Sequence, residues 1–364
     1  MKNKIIEYLL CNADPSIVLR VKREVLQSCT ESEEERLMEK ITEQKIVRTI
    51  LQAQKEDGWI GNSFHGASPK NGAGMYDNME VGLRYLIEKG FRADRLCIRK
   101  AVDSIVKREQ FDSAYGCKAP ALPQDDYSLT AWGLYLSRSA LLIRAGYENS
   151  LPAHDFIDLK HDIEYSLECF CNVLNYNNIY EVIDTNRKKL TFKQNMKWPC
   201  IYDLRILAHS NSWKSQLNQK MFAESLNRLF EINTLNEMVY SYNKGQYVGP
   251  CFALIGRQAD ILQLNSEGFS LDCLELFSRC GVVNDVSIIK AKYDALLAAV
   301  HSDLSFDFSI DKKKEFGWSP YFGYGLSESW RDNKNVRCDV LFRILLIMHY
   351  AEQNCAQKVA NEWI

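Results

Sequence analysis

The sequence predicts an all-α fold of helix pairs arranged in two concentric layers, and three observations support that prediction. A tight Asp57-Gly58-Trp59 turn recurs, degraded, at Phe111-Asp112-Ser113-Ala114-Tyr115-Gly116, Lys197-Trp198-Pro199, Gly245-Gln246-Tyr247-Val248-Gly249-Pro250 and Phe316-Gly317-Trp318-Ser319-Pro320. Helices with one wet face alternate with helices that are apolar nearly all round. Long polar connections bearing glycine run from the first kind of helix to the second. The turns recur at irregular intervals of roughly fifty to eighty residues, so the pattern is an irregular array of helix pairs within one domain, 1–364.

Taken in order, the first helix signal is Asp14-Pro15, an N-cap residue ahead of proline at the first helical position, followed by the stripe Ile17, Val18, Val21 and Val25. Amphipathic helices are expected near 94–108 (Ile98, Ala101, Val102, Ile105), 155–174 (Ile163, Leu167, Phe170, Leu174), 213–231 (Leu217, Met221, Leu226, Leu229) and 285–300. In the apolar class, Tyr127 to Ser137 has no charged residue, Gly245 to Gly256 is likewise uncharged, and Val340 to Met348 carries only Arg343. A helix apolar on every side needs neighbours on every side, so this class forms the inner layer. If the pairs close into a ring, the connections at about 57–75, 109–126, 188–199, 241–249 and 306–335 gather at one mouth. The inner-helix N-termini would then direct partial positive charge there, a setting for anions.

Composition narrows the class. The chain of 364 residues is 46% hydrophobic and 25% charged, with a formal net charge of -2. That balance suits a large folded core and gives no electrostatic reason to expect nucleic acid. The N-terminus lacks the apolar core of a signal peptide and no apolar run reaches spanning length, so a cytoplasmic protein without an integral membrane segment is expected. The 12 cysteines show no CxxC pairing and read as free, mostly buried thiols.

The Gln54 to Trp59 segment, its echoes and the alternating helix classes together resemble the prenyltransferase and squalene-cyclase repeat superfamily. The opening Asp14 to Val21 is similar to the start of bacterial members of that group. The resemblance covers nearly the whole chain and implies an α/α toroid of about six helix pairs. It also implies a terpene-cyclase-like enzyme acting on an isoprenoid or other apolar small molecule in an aromatic central cavity. The alternative is a non-catalytic toroid that binds a small molecule or peptide.

Class II terpene cyclases protonate an alkene with an aspartic acid in an Asp-x-Asp-Asp motif. Gln124-Asp125-Asp126-Tyr127 carries paired aspartates without the first aspartate of that motif. Asp126 would be the acid and Asp125 its tuning neighbour, or either caps the helix expected at 127–145. The candidate substrate-binding residues at the mouth are His65, Tyr76, Tyr127, Tyr202, Asp203, Trp318, Tyr321, Tyr324 and Trp330, with Arg331 and Arg337 as possible anion ligands. Asp339 and Arg343, four apart, read as a helix salt bridge. Trp59 and Trp198 read as staples between helix pairs. No histidine stands at ligand spacing from a cysteine, so neither metal nor cofactor is expected.

Overall fold

The computed structural model describes residues 1–66, 76–108, 110–112, 118–120, 129–151, 157–175, 180–182, 189–193, 197–233, 237–243, 246–248, 253–261 and 270–362. The described chain is mostly helical. Its helices are α1 (Lys2–Asn12), α2 (Pro15–Arg20), α3 (Glu31–Thr42), α4 (Lys45–Ala53), α5 (Met79–Glu88), α6 (Leu96–Val106), α7 (Leu129–Arg144) and α8 (Leu159–Asn172). They continue as α9 (Ile201–His209), α10 (Gln216–Ile232), α11 (Gly256–Ile261), α12 (Leu271–Cys280), α13 (Ser287–Ala298), α14 (Lys312–Phe316) and α15 (Asn333–Glu362). The four amphipathic helices expected from periodicity are α6, α8, α10 and α13. No helix among the described residues is long and apolar enough to cross a membrane.

Local chemistry sets the ends. The Asp14 carboxylate accepts from the Ser16 amide at 3.0 Å and Pro15 opens α2. The chain then widens into a π-helical turn over Val21–Val25. Between α4 and α5, Gly58 sits at φ +90°, and a Cβ there would lie 2.0 Å from the Lys100 carbonyl oxygen of α6. Only glycine fits. The Gln54 amide donates to the Gly58 carbonyl at 3.0 Å and to the Cys97 carbonyl at 2.8 Å. Trp59 is buried beneath the Arg108 guanidinium, which lies 3.9 Å from its ring and pairs with Asp57 at 2.8 Å. The turn therefore fastens the end of α4 to α6.

Helix contacts follow the chain. α5 packs on α6 and α7, α7 on α8 and α9, α9 on α12, and α12 on α13 and α15. α15 packs on α1 and touches the π-helical turn, while Arg20 at the end of α2 donates to Glu88 at the end of α5 at 2.6 Å.

Two expectations are corrected. The uncharged stretch from Gly245 to Gly256, expected as an inner helix, is not helical at its described residues before Gly256. β6 (Gln246–Val248) lies in it and pairs antiparallel with β5 (Val239–Asn243), Ala253 bridges to Cys200, and α11 begins at Gly256. β5 runs parallel to β4 (Leu190–Phe192), which pairs antiparallel with β3 (Tyr180–Val182), and β1 (Gln110–Asp112) pairs with β2 (Lys118–Pro120). Alternating Val239, Tyr240, Tyr242 and Tyr247 suit a half-covered strand better than a helix. The second concerns the idea of a wholly apolar inner class, since α5, α9, α12 and α15 are buried yet not apolar throughout. Each buries charged side chains, among them Glu80, Arg84, Glu88, Asp203, Arg205, Glu275, Asp339 and Arg343.

Candidate functional site

A cavity of about 30 Å³ is lined by Arg84 and Glu88 of α5, Arg144 of α7, Arg205 and His209 of α9, Asp272 and Glu275 of α12, Arg343 of α15, and Leu276, Trp318 and Gly323. At roughly 10–15 Å³ per water this space admits about two or three waters. Its walls are charged, with Trp318 as their aromatic member. This cavity is thus lined by charge, whereas composition pointed to an aromatic one.

The charges form a continuous network. Arg343 donates to Glu275 at 2.6 Å and to Glu88 at 3.0 Å, and Arg20 donates to Glu88 and, through two nitrogens, to Glu24. Arg279 pairs with Glu275 at 2.8 Å and stacks on Tyr350 at 3.9 Å. Arg144 reaches both Glu88 and His209. Arg205 lies 3.7 Å from Asp272. Six guanidiniums, those of Arg20, Arg84, Arg144, Arg205, Arg279 and Arg343, thus face the four carboxylates of Glu24, Glu88, Asp272 and Glu275. Glu80 lies one turn before Arg84, and counting it, these six guanidiniums still exceed the carboxylates around them by one among the described residues.

The electrostatics register that excess. Burial and then the neighbouring guanidiniums of Arg279 and Arg20 hold Arg144 well below the usual arginine range. Burial and then Arg144, Arg279, Lys214 and Arg20 hold His209 well below its ordinary value, so it stays neutral and can accept from Arg144. Burial, reinforced by Arg205, lowers Arg84 to about 10. Glu24 is pushed up by burial, but Arg20 and Arg279 outweigh this and hold it at about 2.

Arg84 and Arg205 spend their donors on one loop. Arg84 donates to the carbonyls of Ser319, Pro320 and Phe322 at 2.5, 2.8 and 3.2 Å, and Arg205 to those of Pro320 and Tyr321 at 2.6 and 3.0 Å. The loop turns back at Gly323, φ +111°, where a Cβ would lie 2.6 Å from the Gly317 oxygen.

Above this loop, three residues singled out from sequence meet. His65 Nδ1 lies 2.6 Å from Glu80 Oε2, His65 Nε2 lies 3.1 Å from the Tyr321 hydroxyl, and the Tyr202 hydroxyl donates to Glu80 Oε1 at 2.8 Å. Sequence reasoning missed Glu80, together with Arg84, Glu88, Arg144, His209 and Glu275. The signal that would have found them is a lone charge recurring every fourth residue in an otherwise apolar helix, as in Glu80, Arg84 and Glu88.

The other sequence candidates are placed apart. Asp125, Asp126 and Tyr127 lie outside the described residues. Tyr76 packs edge-on against Tyr85 at 5.0 Å, and Tyr85 against Trp318 at 5.3 Å. The Trp318 indole donates to the Gly325 carbonyl at 2.7 Å. Asp203 caps α9, accepting from the Cys200 amide at 2.8 Å, with burial raising its carboxyl to about 6. Tyr324 and Trp330 pack together at 5.7 Å in the core. Asp339 does not pair with Arg343. It accepts from the Trp330 indole and from the Leu326 and Ser327 amides, anchoring the loop that precedes α15. Arg331 is exposed and Arg337 lies beside Tyr8 of α1, so neither lines the cavity.

Comparison with protein-family models, with curated proteins and with solved structures found no match.

Proposed function

We propose that α2 with its π-helical turn, α5, α7, α9, α12 and α15 are the inner layer of a closed α/α toroid, and that its axial cavity binds a small anion, a carboxylate or phosphate. This is the binding alternative of the two classes raised by the sequence. The observation that carries it is the excess, among the described residues, of guanidinium over carboxylate around the cavity. Burying uncompensated charge is costly, and an anion among the guanidiniums relieves that cost while gaining charge-assisted hydrogen bonds. The same excess disfavours a carbocation at this depth.

The test is thermal unfolding with inorganic phosphate, pyrophosphate or citrate, against sodium chloride at equal ionic strength. A saturable rise in Tm is expected, equivalent to about 2.7 kcal/mol at a hundredfold excess over Kd. Equal Tm values in all four salts would remove the proposal.

A second reading rests on the aromatic run Tyr76, Tyr85 and Trp318 beside Arg84, whose guanidinium lies 4.9 Å from the Trp318 ring. A prenyl diphosphate would match both surfaces, with its head on the guanidiniums and its tail on the rings. In that case Asp126→Asn abolishes turnover of a prenyl diphosphate and leaves its binding and the fold intact, because asparagine still caps a helix. Full turnover by Asp126→Asn and Asp125→Asn would exclude both aspartates as the acid.

A further inference from the structure

The grouping of His65, Glu80 and Tyr321 has the connectivity of a carboxylate, imidazole and hydroxyl relay, assembled from three separate parts of the chain. His65 follows the Asp57-Gly58-Trp59 turn, Glu80 lies in the first turn of α5, and Tyr321 lies on the loop held by Arg84 and Arg205. We propose that Tyr321 is an activated hydroxyl, a nucleophile toward acyl-type electrophiles, with His65 as its base and Glu80 positioning that base. The inference is independent of anion binding in the cavity.

The geometry fixes the roles. Burial pushes Glu80 up, but His65, Arg84 and Arg205 outweigh this and hold it below the usual carboxylate range, so it is an anion that accepts at both oxygens. Tyr202 donates to one oxygen and His65 Nδ1 to the other at 2.6 Å. In the neutral imidazole the Nδ1 proton is so committed and Nε2 is the acceptor, and the Tyr321 hydroxyl lies 3.1 Å from it. The carboxylate that orients the imidazole also stabilises the charge formed when it takes a proton. A phenol ionises near pH ~10, which makes it a far better proton donor to imidazole than a serine hydroxyl. Tyr321 is held at its carbonyl by Arg205, 3.0 Å away, and its side chain is half-buried, so it is both restrained and reachable.

In the step so assigned, Tyr321 Oη attacks an acyl carbon and the oxygen–carbon bond forms as the bond to the leaving group breaks. The phenolic proton passes to His65 Nε2 and on to the leaving group. Water then cleaves the aryl ester, returning the proton to Tyr321 and releasing the acid.

An arylsulfonyl fluoride tests this without knowledge of the natural substrate. Tyr321 Oη bonds to sulfur, fluoride leaves, and the proton goes to His65. Peptide mass spectrometry then reports which of the 18 tyrosines is modified. In the unaltered protein Tyr321 should react about 100-fold faster than the exposed Tyr242, which serves as internal reference. His65→Ala and Glu80→Gln should remove that advantage without changing Tyr242. Free imidazole should restore it in His65→Ala, and Glu80→Asp should retain part of it, responses that a merely structural role would not give. Equal labelling of Tyr321 and Tyr242 in the unaltered protein overturns the proposal and requires no variant to fold. So does undiminished Tyr321 labelling in His65→Ala.

Discussion

Glu88→Gln is expected to destabilise the protein by about 3–5 kcal/mol, the range for removing one partner from a buried ionic network. Glu88 is 5% exposed and accepts from Arg20, Arg144 and Arg343, which come from three different helices. Glutamine keeps the volume but removes the negative charge, and its amide group offers donors where three guanidiniums also donate. The urea midpoint should fall with the m-value unchanged. A second substitution, Arg144→Met, should recover part of the loss by withdrawing one cation, so the double-mutant cycle should be non-additive. Phosphate should stabilise Glu88→Gln more than the unaltered protein if the cavity takes an anion. A loss below about 1 kcal/mol would mean that the network is solvated rather than buried.

Trp59→Ala should cost a comparable 3–5 kcal/mol, as large aromatic truncations in cores do. Trp59 is 5% exposed, packs 6.2 Å from Phe64 and lies under Arg108, so its removal opens a cavity at the α4 to α6 junction and frees the Arg108 stem. Because Phe64 precedes His65, Tyr321 labelling should also slow. An unchanged melting temperature would show that the turn holds through Gly58 and Gln54 alone.

Much of the helical framework was legible because it rests on local signals. Asp14-Pro15 names the start of α2 by cap chemistry, and the stripes of α6, α8, α10 and α13 follow from a 3.6-residue period that needs no knowledge of the partner. The site was legible only at its rim. His65, Tyr202 and Tyr321 stood out as polar or aromatic residues near helix starts, but nothing local says that they meet, being 137 and 256 residues apart from His65 to its two partners. The buried charges around the cavity escaped for a different reason. A lone Arg343 in an apolar run reads as a tolerated exception until Glu275 and Glu88 are seen beside it, and hydrophobic patterning averages such a residue away. The stretch before Gly256 failed because an uncharged segment of about twelve residues has no period that separates a buried helix from strands.

The route by which the network is assembled bears on how the chain is made. Its cations and anions come from Arg20 at one end of the sequence and Arg343 at the other, and Lys2 of α1 pairs with Glu352 of α15 at 2.5 Å. During synthesis the first three hundred residues leave the ribosome before the last helix exists. Until then Glu88 and Glu275 lack Arg343, and the apolar side of α1 has no α15 to cover it. Contacts of such long sequence separation form late and slowly. Before α15 docks, these carboxylates and their remaining arginine partners face water, where ions are well solvated and apolar surfaces are not. The arginines and glutamates of this network keep that surface wettable in a way that an apolar lining would not, and the docking of α15 becomes the moment at which they exchange water for one another.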